Sequence, residues 1–121
     1  MNIDYKDIDL FIEQNRAGII RDIGRLVAVP SVEGEAQPDA PYGKEPKRAL
    51  ELGLEIAAEL GLETRNFENR IGCGEIRGES EKYLATITHV DVVPAGDGWS
   101  ADPYTMRERD GWIIGRGVLD D

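Results

Sequence analysis

At 121 residues the chain is long enough for one domain with a hydrophobic core, and its 40% hydrophobic and 31% charged residues are ordinary for a globular protein. Twenty-four acidic side chains against 14 basic ones give a net charge of −10, which argues against nucleic acid as a partner, since phosphates reward clustered Lys and Arg, and against an anionic membrane surface. Cys73 is the only cysteine, so no internal disulfide can form, which fits a reducing cytoplasm; the acidic start Met1 to Asp7 has no apolar run that would make it a signal peptide, and no stretch is long enough to span a bilayer.

In chain order, the periodicity predicts a helix from about Ile8 to Val29, with Ile19, Ile23, Leu26 and Val27 on one buried face. Pro30 forces Val29 out of helical geometry and ends it. A loop from Ser31 to Pro46 carries Pro38, Pro41 and Gly43. A second helix is expected from about Lys44 to Leu60, with Leu50, Gly53, Leu54, Ala57 and Leu60 sharing a face and Gly61 suited to the C-terminal cap. The period then changes. Glu63 to Phe67 and Ile71 to Arg77 read as strands, with a turn at Gly78 to Glu81. The strongest strand signal is the apolar, β-branched run Tyr83 to Thr88, which would deliver His89 and Asp91 at its C-terminal end. Val92 to Tyr104 is loop-like, and Met106 to Arg109 with Trp112 to Gly115 suggest a hairpin around Asp110-Gly111. Helices followed by strands make the expected class α/β, two helices and then a mixed sheet, with functional groups beyond the carboxyl ends of strands.

The chemistry centres on His89, Asp91 and Asp120. Residues two apart in an extended segment point the same way, so His89 and Asp91 face one side of a strand end. A metal-bound imidazole needs its second ring nitrogen held by a carboxylate or carbonyl, a role open to Asp91, which alternatively acts on a bound water. Asp120 brings an oxygen ligand from a distant part of the chain, and a carboxylate can bridge two metals because its oxygens point in different directions. By themselves these motifs are weak: a His-x-Asp is usually a satisfied surface histidine, and an Asp-Asp pair is usually a solvated turn or helix cap. Trp99 and Trp112 read as packing residues and Cys73 as a small core residue without a histidine to activate it. A single histidine does not make a self-contained His-rich site, and the spacing from Asp91 to Asp102 does not match a calcium-binding EF-hand loop.

The run from Leu84 to Asp121 changes the balance. His89-Val90-Asp91-Val92-Val93-Pro94 and Gly115-Arg116-Gly117-Val118-Leu119-Asp120-Asp121 resemble the di-zinc peptidase family of aminoacylases, carboxypeptidase G and succinyl-diaminopimelate desuccinylase. Ala95-Gly96-Asp97-Gly98-Trp99, Asp102-Pro103-Tyr104, Val29-Pro30-Ser31-Val32 and Ala40-Pro41-Tyr42-Gly43 are similar to the bacterial dipeptidase V branch. The resemblance covers nearly the whole chain.

That resemblance implies that residues 1–121 are the N-terminal portion of a metallopeptidase catalytic domain. His89 would ligate one zinc, Asp120 would bridge two, Asp91 would orient or tune the site as its catalytic acid, and the Asp120–Asp121 bond would be cis. It also implies a Glu-Glu pair that furnishes the general base and a ligand, a further acid, a distant histidine and a lid domain, none of which these residues supply. The expected parent is a cytoplasmic zinc dipeptidase that hydrolyses short peptides with a metal-activated water, with the 121-residue chain itself inactive. The alternative is a short non-catalytic remnant that binds a partner. Under either reading an unpaired sheet edge and an uncovered apolar face favour self-association.

Overall fold

A computed structural model describes residues 5–120. The first helix, α1 (Tyr5–Val27), begins three residues before the expected start and ends two before the expected stop. Its last hydrogen bonds, Ala28 N–H to the Gly24 carbonyl and Val29 N–H to the Leu26 carbonyl, tighten the chain as it approaches Pro30. Only the C-terminal half of α1 packs. Val27 is buried, whereas Ile19, expected on the same face, is exposed together with Ile8, Phe11 and Ile12.

The second helix, α2 (Lys44–Glu59), falls within the expected span. Leu60 caps it and stays exposed, so it leaves the buried face assigned to it. Gly61 takes φ 91°, and the Gly61 N–H to Ala58 and Leu62 N–H to Ala57 bonds form the Schellman motif that uses up the last helical carbonyls. Arg25 near the end of α1 ties the two helices together, reaching Glu59 at 2.6 Å and Glu55 at 3.0 Å while also bonding Asp22.

Strands β1 (Glu63–Phe67) and β2 (Ile71–Glu75) pair antiparallel, with Thr64 opposite Gly74 and Asn66 opposite Gly72. The two glycines of β2 leave room for leucine side chains. A Cβ on Gly72 would lie 2.8 Å from Leu54, and one on Gly74 would lie 2.8 Å from Leu62, so their absence lets the hairpin lie flat on α2. Cys73 alternates to the opposite face and is exposed, which corrects its expected place in the core. Strands β3 (Arg107–Arg109) and β4 (Trp112–Ile114) form the expected hairpin around Asp110-Gly111, where φ values of 53° and 82° match the two-residue turn that strand twist favours. Met106 lies against Gly24 of α1. Trp112, on this hairpin, is exposed rather than packed.

The α/β class and the order of helices before strands match the sequence. The strongest strand signal does not. Tyr83 to Thr88 pairs with nothing among the described residues, and Leu84 and Ile87 are 97% and 100% exposed. Strand propensity describes fit to a pleated, half-buried surface, and no neighbour here provides one. The accessible surface, 9,703 Å², is far above the roughly 6,500 Å² of a folded monomer of this mass. Among the described residues the buried hydrophobic ones are Val27, Val29, Ala40, Ala49 and Ile56.

The Arg25 cluster makes helix pairing sensitive to acid. Hydrogen bonds from Arg25 hold the Glu59 carboxyl below the usual range. At Asp22 partial desolvation acts in the opposite direction, but hydrogen bonds from Arg21 and Arg25 prevail and lower it as well. Depressed carboxyls stabilise above their unfolded values, near 4, and that contribution is lost as pH falls through the lower folded values. Urea midpoints followed by circular dichroism should therefore drop as pH falls below about 4, and Arg25→Met should flatten the part of the drop that comes from this cluster.

Candidate metal centre

The segment that carries His89 and Asp91 is held by a residue far away in sequence. Ser31, 1% exposed, donates its Oγ–H to the Val90 carbonyl at 2.8 Å, and its own carbonyl accepts the Val92 N–H at 3.3 Å. These two bonds straddle Asp91 and fix the backbone on both sides of it. They also tie the segment to the end of α1, because only Ala28 to Pro30 separate Val27 from Ser31.

Asp120 arrives from the other direction. Gly117 has φ 78°, and a Cβ there would lie 2.7 Å from Val92 Cγ1, so only glycine allows residues 115–120 to run this close to the 89–92 segment. The Arg116 N–H donates to the Pro103 carbonyl at 2.8 Å. Its guanidinium lies over the Trp99 ring at 5.5 Å and donates to the Ala95 carbonyl, which also accepts the Trp99 indole N–H. Trp99 is thus a packing residue that holds the 92–104 loop against the last segment. Within that loop Asp102 accepts the Thr105 hydroxyl at 2.6 Å and the Tyr104 N–H at 3.1 Å, and these bonds, the hydroxyl first, lower its carboxyl.

The result brings all three expected residues together. His89 Nδ1 lies 3.1 Å from the Asp91 carbonyl oxygen and 3.4 Å from its Oδ1, while Nε2 lies 3.0 Å from Asp120 Oδ1. Both ring nitrogens therefore face acceptors. A neutral imidazole has one N–H, so only the protonated ring donates to both, and the Asp120 carboxylate first, then the Asp91 carbonyl, raise the His89 pKa. The backbone carbonyl is the closer Asp91 group at Nδ1, so Asp91 orients the ring chiefly through its main chain. A pocket of about 160 Å³ lies beside these groups, bordered by Leu26, Ser31, His89, Asp91, Arg116 and Asp120. It has room for roughly five waters.

The donor set fits part of a metal site. With Nδ1–H held by the Asp91 carbonyl, the lone pair of Nε2 is directed at the Asp120 carboxylate, and a cation there would take the place of the second proton. The 3.0 Å between Nε2 and Oδ1 is a direct hydrogen bond, which a cation bound to both atoms would replace. The carboxylate of Asp91 lies on the Nδ1 side and does not join this pair. Among the described residues no group of three or more His, Cys, Asp or Glu side chains is arranged to hold a metal, so the pair stops short of the three protein ligands of catalytic zinc. The Asp120–Asp121 bond falls outside the described residues. No described helix is long and apolar enough to cross a membrane.

The chain is 37% identical over 124 residues to a β-Ala-Xaa dipeptidase of Lactobacillus delbrueckii subsp. lactis, an alignment that takes in all of this chain and 26% of that protein. It is 39% identical over 112 residues to a putative dipeptidase of Staphylococcus aureus strain USA300, covering 91% of this chain and 24% of the relative, and 38% identical over the same span to one of Staphylococcus haemolyticus. The chain is related to proteins named dipeptidases. It spans about a quarter of the length of these relatives, the N-terminal quarter. No family model matches it.

Ser31 and Gly117 are the positioning residues that motif reasoning passed over. The only sequence signal for Ser31 is its place in Val29-Pro30-Ser31-Val32, directly after a helix stop. Ser31→Ala removes the donor to a part-buried carbonyl and should cost about 1–3 kcal/mol, seen as a lower urea midpoint. It should also move the imidazole NMR signals of His89, the sole histidine, because the backbone on either side of Asp91 loses its clamp.

Proposed function

We propose that these residues form the opening part of a zinc-dependent dipeptidase, with His89 and Asp120 as metal ligands, Asp91 as the acid that orients and tunes the site, and the remaining ligands and general base supplied by the rest of a longer protein. The observation that carries this reading is the His89 ring, with Nδ1 secured by Asp91 and Nε2 facing Asp120, in a chain that aligns with the N-terminal quarter of dipeptidases.

Bound at that position, zinc would lower the pKa of a water and polarise a peptide carbonyl. The chain's own residues have narrower tasks. The Asp91 carbonyl keeps the proton on Nδ1, which leaves Nε2 free as a ligand. Asp120 contributes negative charge and an oxygen donor. Ser31 keeps the 90–92 backbone still, so the ring does not swing between orientations. Two donors and a pocket of about 160 Å³ neither complete a metal shell nor enclose a dipeptide, and the 121-residue chain by itself is accordingly inactive. Its place is cytoplasmic, in agreement with a lone cysteine.

The test belongs on the full-length product of the reading frame that contains these residues. It should hydrolyse dipeptides, lose activity to a chelator and regain it with zinc. His89→Ala and Asp120→Ala should remove both activity and bound zinc. Asp91→Asn keeps the main-chain carbonyl and removes only the charge, and should lower kcat/KM by about 10–100-fold. A full-length protein that binds no zinc, or that turns over dipeptides equally well without His89, would sink the reading.

A further inference from the structure

Asp120 meets His89 at the surface. Both side chains of the pair are more than half exposed, and an exposed pair holds its members only weakly in one geometry. The 3.0 Å approach is therefore set by the chain that delivers Asp120. That chain leaves β4 through a turn at residues 115–118, closed by the Val118 N–H on the Gly115 carbonyl at 3.4 Å. Gly117 supplies the positive φ, 78°, that one class of β-turn requires at its third position. Asp120 follows two residues beyond the turn.

Arg116 occupies the second position, between two glycines. Neither glycine site has room for a side chain: a Cβ on Gly115 would lie 2.9 Å from Val27 Cγ1, and one on Gly117 would lie 2.7 Å from Val92 Cγ1. Arg116 instead fastens the turn to three points of the 95–103 loop. Its N–H donates to the Pro103 carbonyl at 2.8 Å. Its guanidinium donates to the Ala95 carbonyl at 3.1 Å and lies over the Trp99 ring at 5.5 Å. Ala95 and Pro103 are the two ends of that loop and Trp99 its middle. The Ala95 carbonyl also accepts the Trp99 indole N–H at 2.8 Å, so ring and guanidinium are tied to the same oxygen. Unlike the His89–Asp120 pair, this contact is partly buried, where a charge-assisted hydrogen bond is stronger than in water.

We propose that Arg116 is a positioning residue for the metal centre: its guanidinium, held by the Trp99 ring and the Ala95 carbonyl, fixes the 115–118 turn and through it the Asp120 carboxylate against His89 Nε2. The inference rests on the metal-centre reading and assigns Arg116 no contact with metal or peptide. Ser31 fixes the backbone beside His89, and Arg116 does the corresponding task for Asp120. The role depends on the shape of the guanidinium. A lysine would keep the charge but has neither the flat face that stacks on an indole nor the rigid fork of donors. Arg116 also borders the small pocket together with His89, Asp91 and Asp120, so a shift of its side chain would be felt beside the donors themselves.

The test uses the full-length product of the reading frame. Arg116→Lys, Arg116→Met and Trp99→Phe are set beside Arg25→Met, because the ion pairs of Arg25 lie on α1 and α2 and not on the turn. Zinc affinity is read by chelator competition, and the cobalt-loaded protein by its visible spectrum. Both Arg116 variants should weaken zinc binding by about 10–100-fold and alter the cobalt spectrum, and Arg25→Met should change neither in protein that is still folded. Trp99→Phe keeps an aromatic face and loses one bond to Ala95, so it should weaken zinc less than either. With zinc saturating, kcat should fall in the Arg116 variants while KM holds. Without metal, amides of residues 115–120 should exchange about tenfold faster or more in Arg116→Met.

Wild-type zinc affinity and spectrum in Arg116→Lys overturn the proposal, since charge alone would then suffice. Unchanged exchange at 115–120 in Arg116→Met overturns it as well. Should Arg116→Met fail to fold, Arg116→Lys and Trp99→Phe decide by the same readouts. An unaltered protein that binds no zinc removes the dipeptidase reading, and faster exchange at 115–120 in Arg116→Met then still upholds Arg116 as the residue that seats Asp120. An unaltered protein that binds zinc, with Arg116 variants that match it, keeps the reading and removes the proposal.

Discussion

Ser31 joins the helical half of the molecule to its chemistry. Among the described residues it is the one buried polar side chain, and both its hydroxyl and its carbonyl are spent on the 90–92 backbone. Buried polar groups are tolerated when their hydrogen bonds are made, so this burial is stable only while the segment carrying Asp91 stays where it is. The end of α1, the stop at Pro30 and the position of His89 are one mechanical unit. Gly117 does the same from the other side by letting Asp120 approach over Val92.

Around this unit the molecule is unevenly finished. The α2–β1–β2 portion is tightly fitted, with glycine faces laid against Leu54 and Leu62, a Schellman cap, and Arg25 clamping the two helices. The stretch from Ile76 to Thr88 bends at residues 79–81, pairs with no strand among the described residues and is exposed, and the N-terminal half of α1 turns apolar side chains to solvent. A chain of this size that buries so few hydrophobic residues has not completed its core. The same incompleteness recurs at the site, where two donors converge and no third joins them among the described residues.

Local structure was legible to the degree that it depends on neighbours in sequence. Both helices, the β1–β2 hairpin and the Asp110-Gly111 turn follow from periodicity, capping glycine and turn chemistry, all of which act over a few residues. The errors share one cause. Ile19 and Leu60 lie on apolar stripes yet face solvent, Cys73 is exposed, Trp112 finds no packing partner, and Tyr83–Thr88 has the composition of a strand without a strand beside it. Each prediction assumed a tertiary neighbour that the described residues do not provide.

By itself the sequence determined both helices, the two hairpins and the absence of an internal disulfide, and it nominated candidate site residues, because side-chain type, spacing and backbone preference are local properties. It singled out His89, Asp91 and Asp120 without showing whether they meet. Only the tertiary structure decided that. Their convergence needs Ser31 to clamp the 90–92 backbone and Gly117 to allow close approach, and both act across long separations in the chain. It likewise decided that the Asp91 carbonyl is the Asp91 group nearer the imidazole, since main-chain direction there is set by the bonds on either side and not by the identity of the residue.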